Sequence, residues 1–120
     1  VPLGFVSPIF RTGDIDATIA DYAHAGFTVR NRYDDYLMLE RDHVWLSFWH
    51  HEVPEPTANV CRAYVYCTGV DEIRARLHAA GVGHVSELGN RSSGLRDFLF
   101  VDRFGNTLLF GEDLAEIADA

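Results

Sequence analysis

The 120-residue sequence contains two cysteines, no long apolar run and few basic residues. If the segment holding Cys61 and Cys67 is one strand, both point to the same face with Cα atoms about 20 Å apart, too far for a disulfide. They read as small apolar packing residues. No apolar run reaches the roughly 18 residues that cross a bilayer, and the start lacks the charged-then-apolar layout of a secretory signal, so a cytoplasmic location is expected. Ten Lys and Arg against 18 Asp and Glu give a formal net charge of −8. Nucleic-acid binding needs clustered basic residues, so that class is disfavoured. The acidity suits either plain solubility or attraction of a cationic ligand.

What is present is a chain 48% apolar, enough for one globular domain. Residues 14–25 place Ile15, Ile19, Tyr22 and Ala23 near one helical face, with Asp14 as N-cap and Gly26 as terminator. Residues 70–80 repeat the design with Val70, Ile73 and Leu77, ending at Gly81. An offset of 55 carries Ile15 to Val70, Asp16 to Asp71 and Gly26 to Gly81. Further on, Tyr36-Leu37-Met38-Leu39-Glu40-Arg41 matches Phe98-Leu99-Phe100-Val101-Asp102-Arg103 at an offset of 62, and Leu46 and Phe48 fall on Leu108 and Phe110. The seven extra positions are assigned to a loop within 86–94, rich in Gly, Ser and Asn.

Each half then reads as strand, helix and three strands. The expected strands are 5–10, 27–32, 35–41 and 44–49, then 60–67, 83–87, 95–102 and 106–111. The halves are 1–52 and 60–111, joined by a linker at 53–59 and followed by a tail at 112–120. Alternation divides strand 44–49 into a Val44, Leu46, Phe48 face and a Trp45, Ser47, Trp49 face, and divides 60–67 into Cys61, Ala63, Val65, Cys67 against Arg62, Tyr64, Tyr66. The aliphatic faces are assigned to the helices. The other face, with Tyr36, Trp45, Trp49, Tyr64, Tyr66 and by the same offset Phe98 and Phe100, lines a concave cavity or a subunit interface.

Three stretches carry a family resemblance: Ser7-Pro8-Ile9-Phe10-Arg11-Thr12-Gly13-Asp14, Leu39-Glu40-Arg41-Asp42-His43-Val44-Trp45-Leu46, and Gly94-Leu95-Arg96-Asp97-Phe98 leading to Asp102-Arg103-Phe104-Gly105-Asn106. Over nearly its whole length the chain resembles the vicinal oxygen chelate superfamily, and within it the bleomycin-resistance proteins, with Arg103 in place of the usual Pro. The resemblance implies an α+β fold of two tandem βαβββ modules and a homodimer that exchanges its N-terminal strand, an arm for which 1–10 is apolar enough. It implies antibiotic resistance by stoichiometric binding of bleomycin-type cationic glycopeptides, without modification and without a cofactor. The metal-ligand positions of the superfamily's enzymes fall at or near Ser7, Trp45 or Ser47, Arg62 and Leu109, none of which is a plausible ligand.

The same resemblance makes Tyr36 and Tyr64 aromatic platforms for a planar heteroaromatic group, although each also fits a packing role. Trp49 would supply a second stacking wall, with Trp45, Ser47 and Leu109 on the same face. Asp34 and Asp35 suit either a turn or a cationic tail. Arg62 suits a ligand oxygen or a pairing with Asp97 or another internal acid, while Arg96 and Asp97 are expected to pair with each other. Gly94 stands where some resistance proteins carry a loop tryptophan. Two alternatives remain: a metal-dependent glyoxalase- or dioxygenase-like enzyme recruiting His50 or His51 from the His50-His51-Glu52 cluster, although adjacent strand histidines point to opposite faces, or a binding module for another aromatic metabolite.

Overall fold

The computed structural model describes residues 2–50 and 55–115. Its first half consists of β1 (Ile9–Thr12), α1 (Ile15–Ala23), β2 (Thr28–Arg32), β3 (Tyr36–Arg41) and β4 (Val44–His50). After a short 3-10 turn at Pro56–Ala58 come β5 (Arg62–Tyr66), α2 (Val70–Ala80), β6 (Gly83–Val85), β7 (Gly89–Asn90), β8 (Leu95–Asp102) and β9 (Thr107–Asp113). The first sheet has the order β1-β4-β3-β2 and the second β5-β9-β8-β6, with β7 added beside β8. In both, the strand before the helix lies parallel to the last strand.

The helices begin and end where local chemistry dictates. Asp14 accepts a hydrogen bond from the Ala17 amide, satisfying one of the orphan donors of the first turn of α1. The first amide of α2, at Val70, donates instead to Glu112 on β9 at 3.0 Å, which ties the helix to its own sheet. Gly81 closes α2 at φ 65°, a conformation that costs glycine nothing.

Pairing register confirms the duplication. Ile9 opposes Ser47 in the first sheet and Tyr64 opposes Leu109 in the second, so offsets of 55 and 62 hold for the outer pair of strands. The insertion in the second half contains β7. For β8, however, the offset is 61: Leu37 opposes Phe48 as Phe98 opposes Phe110, and Leu39 opposes Leu46 as Phe100 opposes Leu108. The turn of the second hairpin is one residue longer, and a one-residue slip turns every side chain of a strand over. Phe98 and Phe100 therefore belong to the helix-covered core, 1% and 0% exposed, and not to the aromatic outer face. Asp97, Leu99 and Val101 occupy that face instead.

One continuous core takes Phe10, Leu37, Leu46 and Phe48 from the first sheet, Phe98, Phe100, Leu108 and Phe110 from the second, and Ile15, Tyr22, Ile73 and Leu77 from the helices. Each such side chain contributes on the order of 1.5–3 kcal/mol by burial. Tyr22 bridges the halves, its ring 5.0 Å from Phe48 and 5.7 Å from Phe100, and its hydroxyl donating to Asp102 at 2.7 Å. Asn106, fully buried, accepts from the Arg11 amide and the Asn59 side chain and donates to the Arg11 carbonyl and Asp102. Arg103 grips Asp21 of α1 through two bonds of 2.7 and 2.8 Å, a joint that the proline of the usual pattern would not make.

Burial raises the Asp102 carboxyl above the ordinary range even though Tyr22, Asn106 and the Phe104 amide donate to it. The same burial, followed by the charge and hydrogen bond of Asp102, raises Tyr22 well above a free phenol. These groups form a fully hydrogen-bonded seam where the turn of one half meets the strand and helix of the other.

Candidate functional site

The sheet faces turned away from the helices carry the remaining aromatics. On the first sheet, register sets Tyr36 opposite Trp49 and Met38 opposite Ser47. Trp45 lies further along the same face, stacked on Phe5 with ring centres 4.4 Å apart and planes at 23°. The Arg30 guanidinium sits 4.0 Å from the Trp45 ring centre and is ion-paired to Glu40 at 3.1 Å. Trp45 is thus held by the extended 2–8 segment and by a cation.

Ser47 is 1% exposed, and its hydroxyl is engaged with that of Ser7 at 2.7 Å. It lies beneath the aromatic surface instead of lining it, met there by Ser7 of the segment that leads into β1.

On the second sheet, Tyr64 reaches across Gly111 of β9 to donate to Asp97 on β8 at 2.9 Å. A Cβ on Gly111 would collide with the Tyr64 hydroxyl; only glycine leaves that path open. Burial, then the hydrogen bond and charge of Asp97, push the Tyr64 phenol up to about 12. The other Asp97 oxygen accepts from Arg91 at 2.7 Å. Tyr66, 5.0 Å from Tyr64 between ring centres, is largely exposed.

Where β4 approaches β5 lies an open hollow of about 320 Å³, walled by the rings of Trp45, Tyr64 and Tyr66 and by aliphatic groups that include Val6, Val44 and Val65. Of the residues expected at the site, the structure brings Trp45 and Tyr64 together here. Leu109 is half-buried and lies beside Tyr64 in register. Tyr36 and Trp49 form a separate patch at the other end of the β3–β4 ladder. Asp34 is exposed in the turn between β2 and β3, closed by the Tyr33 amide donating to the Tyr36 carbonyl at 2.8 Å. Arg62 is exposed on β5.

The expected Arg96–Asp97 pairing is replaced by others, and of the alternatives for Arg62 the one with Asp97 is not formed. Asp97 is engaged by Arg91 and Tyr64, so Arg62 does not pair with it. Arg96 does not pair with its neighbour Asp97 either, since adjacent strand residues point to opposite faces. It bonds Asp71 on α2 at 2.8 Å and Asn90 at 2.9 Å, and its hydrogen bond holds the Asp71 carboxyl below the ordinary value. Asp97, Arg91 and Phe5 are the contributors that the sequence reading missed.

The positions at which the family resemblance expects metal ligands do not suit a metal here. Ser7 and Ser47 satisfy each other, Trp45 is stacked, and Arg62 brings a positive charge. His50 is exposed at the end of β4; His51 and Glu52 lie outside the described residues. Among the described residues no three His, Cys, Asp or Glu side chains converge as a metal site, and no helix is long and apolar enough to cross a membrane.

No family model matches the sequence, and no curated protein matches it. Solved structures do match in fold. A bleomycin resistance determinant encoded on the transposon Tn5 superimposes with a TM-score of 0.83 at 19% identity, covering 92% of this chain and 98% of that one. A bleomycin-binding protein complexed with bleomycin gives the same score and identity over 92% and 99%. A glyoxalase-related enzyme from Clostridium phytofermentans gives 0.74 at 18% identity over 94% and 97%. The chain thus has the α+β glyoxalase/bleomycin-resistance fold, which serves both binding proteins and enzymes.

Proposed function

We propose that the protein is a cytoplasmic homodimer that sequesters bleomycin-type glycopeptides stoichiometrically and leaves them unmodified. The observation that carries this reading is the open aromatic hollow between Trp45, Tyr64 and Tyr66, set among positions whose side chains are unsuited to a metal. Planar heteroaromatic groups stack on such walls, and a net charge of −8 favours a cationic guest.

The homodimer is supported by the 2–8 segment. Leu3 is 98% and Val6 88% exposed, whereas an arm this apolar is stabilised by burial against a second copy. In that arrangement the partner's arm and aromatic face would close the hollow into a groove.

A thermal-shift experiment with bleomycin tests the reading. Ligand at 100 times Kd stabilises a folded protein by about 2.7 kcal/mol, or roughly 10 °C for a chain of this size. An unchanged melting temperature at millimolar bleomycin rejects it.

A second reading, a binding module for another aromatic metabolite, is favoured by Gly94 standing where some resistance proteins carry a loop tryptophan. It predicts a shift with aromatic metabolites and none with bleomycin. An enzyme reading predicts loss of substrate together with a requirement for added divalent metal.

A further inference from the structure

We propose that Asp97 is the seat for the cationic group of the ligand, and that Arg91 holds this seat in the free protein as a built-in stand-in. The inference rests on the sequestration reading only in assuming that the outer face takes a cationic aromatic guest.

Asp97 is 8% exposed yet lies on the face turned away from the helices. Its neighbours in register on both sides are glycines, Gly89 on β7 and Gly111 on β9. The carboxylate therefore lies in a trough with no side chain on either flank, and two groups enter it. Tyr64 crosses Gly111, and Arg91 crosses Gly89, where a Cβ would come within 2.8 Å of the guanidinium. Asp97 is thereby satisfied on both oxygens, at 2.9 and 2.7 Å.

The two partners differ in kind. Tyr64 is fixed in β5, and its ring forms part of the hollow. Arg91 projects from a tight turn, closed by the Gly94 amide donating to the Arg91 carbonyl and the Arg91 amide to the Leu95 carbonyl, and its side chain is 50% exposed. It can swing into water without moving the backbone. Arg96 cannot take its place because it is committed to Asp71 and Asn90.

Burial favours a cation beside the Asp97 carboxylate over leaving it unpaired. Arg91 supplies one whose own side chain is half-exposed and so can give way to another cation. The group best suited to replace it has the same planar fork, an amidinium or guanidinium, attached to an aromatic system that stacks beside Tyr64 and Tyr66.

The test is a fluorescence titration with para-aminobenzamidine and its uncharged isostere para-aminobenzamide. Arg91→Ala vacates the seat and is expected to tighten the amidine about three- to tenfold, the competition lost with a half-exposed pair. The amide should change less than about twofold. Adding Asp97→Asn to Arg91→Ala removes the gain, and where Asp97→Asn folds poorly Arg91→Lys, which keeps a cation beside Asp97, should show less of the gain than Arg91→Ala. Equal or weaker amidine binding by Arg91→Ala, or an equal gain for the amide, overturns the proposal. Bleomycin titrated into the same variants separates the two readings. Binding that ignores both substitutions leaves sequestration standing and removes the seat, whereas the amidine pattern without bleomycin binding does the reverse.

Discussion

Replacing Gly111 by Ala should disturb the outer face of the second sheet while leaving the core in place. The added Cβ would overlap the Tyr64 hydroxyl, and β9 is pinned on both sides by β5 and β8, so the phenol must yield. Its bond to a charged acceptor, 2.9 Å long, contributes about 1.5–3 kcal/mol. Against this, Gly→Ala lowers the entropy of the unfolded chain, a gain of about 0.4–1 kcal/mol. The net expectation is a loss of about 1–2 kcal/mol, or roughly 4–8 °C in melting temperature for 120 residues. Absorbance titration of the tyrosines adds a local readout: the phenol held up to about 12 should fall towards the ordinary value near 10, with core near-ultraviolet circular dichroism retained. A Gly111→Ala protein of unchanged stability whose tyrosine titration keeps the wild-type step at about 12 would refute the crossing of Tyr64 over β9.

Three further outcomes follow from the same geometry. Asn106→Ala strands the Arg11 amide and carbonyl and the Asn59 amide at the buried seam, and urea unfolding should show a loss of about 3–5 kcal/mol; a loss under 1 kcal/mol would contradict the seam's role. Asp102, raised in the folded state, binds its proton more tightly there than in the unfolded chain. Its contribution to stability is complete below the ordinary carboxylate range and is lost as pH rises through the folded value, and carboxyl-carbon NMR should place it above its neighbours. Asp71, lowered by Arg96, behaves oppositely: its contribution is present above the ordinary range and lost on acidification, so Arg96→Ala should flatten that acid limb in urea midpoints measured against pH.

The two helices and the duplication were legible because their signals are local. Helix α2 spans Val70–Ala80 as the apolar period and Gly81 predict, and α1 begins after the Asp14 cap. The aromatic parity of β4 and β5 was equally legible, since strand alternation fixes it. The expected strand at 5–10 forms only from Ile9 to Thr12, because among the described residues none before Ile9 has a ladder partner, whatever their apolarity.

Longer-range pairing was hidden. Orientation of β8 depends on one extra turn residue, which alignment of similar apolar runs does not reveal, so Phe98 and Phe100 looked like lining residues while Asp97 was misjudged as a partner of Arg96. Ser47 shows the same limit from another side: its strand face was read correctly, but the Ser7 hydroxyl that engages it becomes visible only in three dimensions. Arg103 looked like a departure from pattern and proves to be a joint to Asp21.

Isothermal titration of bleomycin into the purified protein, with mass analysis of the ligand recovered afterwards, tests the central claim most directly. Sequestration predicts saturable binding of one ligand per chain with a Kd of about 1 µM or tighter, weakened at least tenfold by Tyr64→Ala, and bleomycin recovered at its original mass. Absence of binding heat across temperatures, or a ligand consumed during the titration, would contradict it.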